Sequence, residues 1–123
     1  MESKELRIEN LVTYYGKIVS ITGITEEHPF IYLITADYLD WDEIEPILIT
    51  EQWLFKFGFK QEKNKYWFSN EVISISVHKD GYYNIWGNSG REIARKGIKY
   101  VHQLQNLYFA LVGKELQQHL KSY

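Results

Sequence analysis

A chain of 123 residues with 45% hydrophobic and 24% charged side chains fits one folded domain spanning residues 1–123, and argues against a disordered tract. It has no cysteine, which excludes a disulfide scaffold, a thiolate zinc site and a cysteine nucleophile. The net charge of −2 hides a segregation: Ile18 to Phe55 holds eight carboxylates and no lysine or arginine, whereas Lys56 to Tyr123 holds eleven basic residues against five acidic ones. MESKELRIEN lacks the apolar run of a secretory signal and no stretch reaches membrane-spanning length, so a bacterial or viral cytoplasmic setting is expected.

Leu11 to Tyr14 and Lys17 to Ile24 are rich in β-branched and aromatic residues and flank Tyr15-Gly16, which predicts a hairpin. Phe30 to Thr35 is a nearly continuous apolar run and reads as a third strand buried on both faces. Asp37 to Pro46 reads as an acidic loop, with Trp41 folded back onto the core or offered to a partner. Thr50 should cap a short helix that Ile49 staples onto Leu54 and Gly58 ends.

Two more hairpins follow. One joins Gly58 to Glu62 with Lys65 to Ser69 across Lys63-Asn64, a register that sets Phe59 opposite Phe68 and Lys60 opposite Trp67. The other joins Val72 to His78 with Tyr82 to Gly87. A three-residue loop with Gly81 left-handed places Val77 across from Tyr83 and Ile75 across from Ile85, which keeps one face apolar. The opposite face then collects Ser74, Ser76, His78, Tyr82, Asn84 and Trp86. After a loop at Gly87 to Gly90, Arg91 to Lys99 carries four basic residues into the main helix, read over Ile98 to Gly113.

On that helix Val101, Leu104, Leu107, Tyr108, Leu111 and Val112 share one broad apolar side, while His102, Gln103, Asn106 and Ala110 lie opposite. Gln105 projects within the apolar arc, where an amide must find partners; a tether to the backbone of a neighbouring loop or strand is expected. A last short helix is read over Lys114 to Leu120. The fold class is α+β: a twisted antiparallel sheet, partly barrel-like, packed on a C-terminal helix, with one short helix inserted between strands.

The four histidines, His28, His78, His102 and His119, have no ligand spacing, so no metal is expected, and no motif calls for a cofactor. His102 and Asn106 lie one turn apart, but no nucleophile stands at readable spacing, and the pair reads as a solvated face. Gly87 to Gly90 is too short for a phosphate loop. No catalytic residues are therefore assigned, and a binding protein is expected.

Two surfaces are candidates. Lys60, Lys63, Lys65, Lys79, Arg91, Arg95, Lys96 and Lys99 would collect phosphates while Tyr82 and Trp86 stack on unpaired bases of single-stranded RNA. Alternatively Asp37, Asp40, Asp42, Glu43 and Glu45, with Trp41 among them, would imitate a phosphate backbone in a basic groove of a partner protein.

The strings KELRIENLVTYYGKIV, ILITEQWLFKFGF and IKYVHQLQNLYFALVGKEL resemble a widespread group of small proteins encoded in phages and prophages of Bacteroidetes. Glu9 stands where that group's pattern has glycine, which argues against a tight turn there. The resemblance carries no catalytic residues. It implies an accessory role of the kind played by inhibitors of host defence, including anti-CRISPR proteins that act on an RNA-guided nuclease, RNA-targeting type VI systems among them, or on its guide RNA. Direct binding of single-stranded nucleic acid in replication or regulation is the alternative.

Overall fold

In the computed structural model the first hairpin forms as its turn residues dictate: β1 (Leu11–Tyr14) pairs antiparallel with β2 (Lys17–Ile24), and Tyr14 faces Lys17 across a two-residue turn. Both turn residues have positive φ, 47° at Tyr15 and 78° at Gly16, as the hairpin turn that matches strand twist requires. The structure describes residues 6–24, 29–31, 43–87 and 90–118, with the backbone alone for 22–24, 29–31 and 94–97. β3 (Pro29–Ile31) adds to the far side of β2, while 32–35 of the expected strand lie outside the described residues.

The acidic connection holds one element that the sequence reading missed. β4 (Ile44–Glu45) pairs antiparallel with β1, setting Tyr14 against Ile44 and Thr13 against Glu45, so the end of the expected loop is a strand. The cause is Ile44, an apolar residue between two carboxylates. It is 2% exposed and joins Leu6, Val12 and Ile21 in a small second core. The first sheet therefore runs β3-β2-β1-β4.

Ahead of it, Asn10 N–H donates to Arg7 C=O at 3.1 Å and Glu9 takes φ 81°. The tight turn is present after all, and Glu9 occupies a left-handed conformation that suits glycine. Two bonds fasten it to β2: Glu9 N–H to Ile21 C=O at 2.8 Å, and Ile21 N–H to Asn10 C=O at 2.9 Å.

α1 (Glu51–Lys56) starts as expected at Thr50, whose Oγ1 accepts from Trp53 N–H, with Ile49 and Leu54 in one core cluster. It ends in a Schellman pattern, with Gly58 at φ 86°, Gly58 N–H donating to Phe55 C=O and Phe59 N–H to Leu54 C=O. The second sheet runs β5-β6-β7-β8-β9. β5 (Lys60–Gln61) and β6 (Trp67–Ser69) pair Lys60 with Ser69 and Gln61 with Phe68, not in the expected register. The loop is longer than two residues: Glu62 N–H closes onto Trp67 C=O, and the Asn64 side chain accepts from Tyr66 N–H inside it.

β7 (Ile73–Val77) and β8 (Tyr83–Gly87) have the expected register, Val77 to Tyr83 and Ile75 to Ile85, around Gly81 at φ 86°. β9 (Glu92–Ile98) corrects the reading of Arg91 to Lys99 as an approach to the helix. It is an edge strand paired with β8, and two register shifts in that pairing blurred its alternation.

α2 is Val101–Val112. Gln103, expected to face solvent, turns back so that Oε1 accepts from Lys99 and Tyr100 N–H, both at 2.9 Å, closing the start of the helix. Gly113 at φ 77° ends it. The inner face of the second sheet (Phe68, Ile73, Ile75, Tyr83, Ile85) buries against Trp53, Leu54 and Phe57 of the α1 segment and Val101 and Leu104 of α2. Phe68 is fully buried, and truncating it would cost about 3–5 kcal/mol.

The α+β class stands, with two corrections. The strands divide into two sheets, neither of which closes into a barrel among the described residues. Residues 114–118 form no helix, because Leu116 drops into the core at 6% exposure. α2 lies between the sheets, and this explains its composition. Gln105 Oε1 accepts from Leu11 N–H at 2.8 Å and Nε2 donates to Glu9 C=O at 3.2 Å, which is the expected backbone tether. Leu111 is 44% exposed although it belongs to the apolar arc.

Candidate nucleic-acid interface

The outer face of the second sheet follows from alternation along three adjacent strands. Phe68, Ile73, Ile75, Tyr83 and Ile85 point inward, so Trp67, Ser74, Ser76, Asn84 and Trp86 point outward. Trp67 lies across from Ser76 on one side of β7, and Trp86 lies across from Ser74 on the other. Two serines on the middle strand leave room for both indoles to lean over it. Their ring centroids come within 5.7 Å at 46°, and Trp86 Nε1–H donates to Ser76 Oγ at 3.0 Å. This tilted contact leaves no slot for a ring between them, so a third ring would stack on an outer indole face.

The basic residues predicted for this surface are distributed unevenly. Lys63 and Lys65 lie in the β5–β6 loop beside Trp67, exposed, with Lys65 Nζ 5.4 Å from the Tyr66 ring. Lys63 also lines a depression of about 720 Å³ together with Glu62, Asn64, Trp67 and Ser74. Lys60 on β5, Lys79 in the β7–β8 turn and Arg91 before β9 are exposed around the sheet. Tyr82 is half-buried, with Lys99 Nζ 5.4 Å from its ring and 5.8 Å from that of Tyr100. Arg95 and Lys96 belong to β9, and their side chains lie outside the described residues.

Acids interrupt the basic set. His78 Nδ1 and Asp80 Oδ1 are 3.1 Å apart in the turn, and Glu92 faces Trp86 directly across the β8–β9 ladder. Set against protein-family models, curated proteins and solved structures, the chain matches none. The site's chemistry thus stands on its own geometry.

Of the acidic candidates, Asp37, Asp40, Trp41 and Asp42 lie outside the described residues. Glu45 is exposed on β4, and Glu43 Oε2 accepts from Tyr15 O–H at 3.1 Å, at the tip of the first hairpin. That bond and the carboxylate's charge hold the Tyr15 pKa above its ordinary value.

His102 and Asn106 do not form a solvated face. His102 is 2% exposed with its ring stacked on Tyr100 at 5.9 Å, and Asn106 Oδ1 accepts from Asn10 Nδ2 at 2.7 Å and Arg7 Nε at 2.9 Å. Asn10 and Arg7, from the turn ahead of β1, engage the helix side that the sequence left open. Among the described residues no three His, Asp or Glu side chains gather as a metal site, and no helix is long and apolar enough to cross a membrane.

Trp67 and Glu92 were missed by sequence reasoning. Trp67 was set opposite Lys60 by a turn taken two residues too short. Glu92 was counted only as one acid in a basic run, although Trp86 and Glu92 flank a glycine-containing loop at hairpin distance, and that spacing was the available signal.

Proposed function

We propose that this chain is a phage- or prophage-encoded, non-enzymatic binding protein that works in the cytoplasm of its host. It inhibits a host RNA-guided defence nuclease by holding unpaired bases of the guide RNA on the outer face of the second sheet. The observation that carries this reading is the Trp67–Trp86 pair, two half-buried indoles meeting at 5.7 Å beside exposed Lys63 and Lys65. Fully exposed tryptophans are costly to leave in water, and a paired, serine-supported arrangement presents fixed ring faces at low ordering cost, which suits base stacking. The phage and anti-CRISPR setting rests on the sequence resemblance.

The test is direct. A labelled single-stranded guide RNA is titrated with the wild-type protein and with Trp67→Ala and Trp86→Ala, and target cleavage by the loaded nuclease is followed in parallel. Each substitution should weaken binding about tenfold or more and relieve inhibition to match. Inhibition that persists in both variants, with the nuclease still captured from host lysate after ribonuclease digestion, would move the contact to the acidic residues Asp37, Asp40, Asp42, Glu43 and Glu45.

A further inference from the structure

The end of α2, the start of β5 and the turn before β7 enclose a hollow of about 550 Å³, within the range of small-molecule sites. Neither Trp67 nor Trp86 lines it. Phe57 and Leu116, 2% and 6% exposed, form its deepest lining. The half-buried Tyr108 adds a second aromatic ring, the one within reach of a planar group.

The polar lining is rich in donors. Asn70 Oδ1 is committed to its own turn, accepting from Val72 N–H at 2.8 Å and Ile73 N–H at 2.9 Å. What this amide has left for the hollow is its Nδ2 group, a donor held in place by the turn. The neighbouring Ser69 is the direct cross-strand partner of Lys60, so hydroxyl and lysine stem rise from one sheet face with Cβ atoms about 4.5–5.5 Å apart. Lys114, just past α2, lines the hollow as well. Of the two carboxylates in the lining, Glu115 is taken by the Arg7 guanidinium at 2.6 and 3.1 Å. With that pair neutral, two ammonium groups stand against Glu71, which is itself engaged.

Ammonium, amide and hydroxyl donors around one space call for a compact anion with several acceptor oxygens, which is the description of a phosphate. The apolar, partly aromatic bed calls for a flat body attached to it. A free phosphate leaves the bed uncovered, and a fatty acid brings a flexible tail with only two oxygens. We propose that this hollow is a binding site for a nucleoside 5′-monophosphate, its base laid on the Tyr108 ring and its phosphate held by Lys60, Lys114 and Asn70 Nδ2. The site is separate from the indole pair and does not rest on the RNA-binding reading.

The full chain is titrated by calorimetry with adenosine 5′-monophosphate, adenosine, inorganic phosphate and octanoate. The nucleotide should bind with a Kd of about 1 mM or tighter, and the other three at least about tenfold more weakly. Lys60→Ala together with Lys114→Ala, two exposed positions, should cost the nucleotide about tenfold or more while the circular dichroism spectrum stays that of the wild type. Trp86→Ala should bind it as the wild type does. No binding of the nucleotide overturns the site, and so does adenosine or octanoate binding as tightly. Nucleotide binding that is lost in Trp86→Ala and kept in the double lysine variant also overturns it, by moving the base to the indoles.

Discussion

Gln105 of α2 and Leu11 of β1 are joined by a 2.8 Å hydrogen bond from the Leu11 backbone N–H to Gln105 Oε1, and the same amide returns a bond to Glu9 C=O at 3.2 Å. With Gln105 only 3% exposed, one side chain satisfies a donor and an acceptor that the first sheet leaves open toward the helix. Gln105→Leu keeps the volume and leaves Leu11 N–H and Glu9 C=O without their bonds to the amide. It should lower unfolding free energy in urea by about 2 kcal/mol or more; a change under about 0.5 kcal/mol would mean the two sheets are held to α2 by apolar packing alone.

Arg7 supplies a second tie. Its guanidinium meets Glu115 through Nη1–Oε2 at 2.6 Å and Nη2–Oε1 at 3.1 Å, donates from Nε to Asn106, and lies 4.4 Å from the Phe109 ring centroid. The pair is bidentate but its side chains are 31% and 21% exposed, so solvent screens it. A double-mutant cycle of Arg7→Met and Glu115→Gln should give a coupling of about 1 kcal/mol. Coupling indistinguishable from zero would mark the pair as a surface contact without a share in holding 114–118.

Glu9 bears a side chain at φ 81°, and both of its backbone groups are engaged, N–H to Ile21 and C=O to Gln105. Glu9→Gly retains those bonds and relieves a left-handed conformation worth about 1–2 kcal/mol, against a loss of up to about 1 kcal/mol through the freer unfolded chain. The expected result is a rise in melting temperature. A fall would show that the exposed glutamate side chain contributes an interaction of its own.

Tyr83 is 6% exposed and donates its hydroxyl to Ile49 C=O at 3.0 Å. Burial first, and the charge of Glu51 second, raise its pKa above the ordinary value. A raised phenol pKa means that folding favours the neutral form. Its contribution is therefore fully present below about pH 10, the unfolded value, and is lost as pH rises through the folded pKa. Stability should fall above about pH 10 with a component that Tyr83→Phe removes, and absorbance titration should show a late-ionising tyrosine that the variant lacks.

The face of the second sheet predicts a salt response. Lysines near the indoles should each add about 0.7 to the slope of log affinity against log salt for single-stranded RNA. Lys63→Ala together with Lys65→Ala should flatten that slope by about one to one and a half units, leaving base preference unchanged. An unaltered slope would place the phosphate contacts elsewhere.

The sequence alone determined what depends on neighbours a few residues apart. Tyr15-Gly16 and Lys79-Asp80-Gly81 settled two hairpins because positive φ at a glycine leaves few alternatives. Thr50 and Gly58 bounded α1 because caps act within one turn. Gln105 announced itself as a tether because an amide inside an apolar arc has to be satisfied.

Only the tertiary structure decided which faces meet. Ile44 becomes a strand residue because β1 offers it an edge, and Asn106, on the side of α2 that periodicity assigned to water, is held by Asn10 and Arg7 from the turn before β1. Trp67 reaches Trp86 because three strands align over two serines, a juxtaposition fixed by register across ladders and invisible to any local pattern. Pairing between distant strands depends on competition among all the edges the chain can offer, and that competition is resolved only when the whole chain is packed.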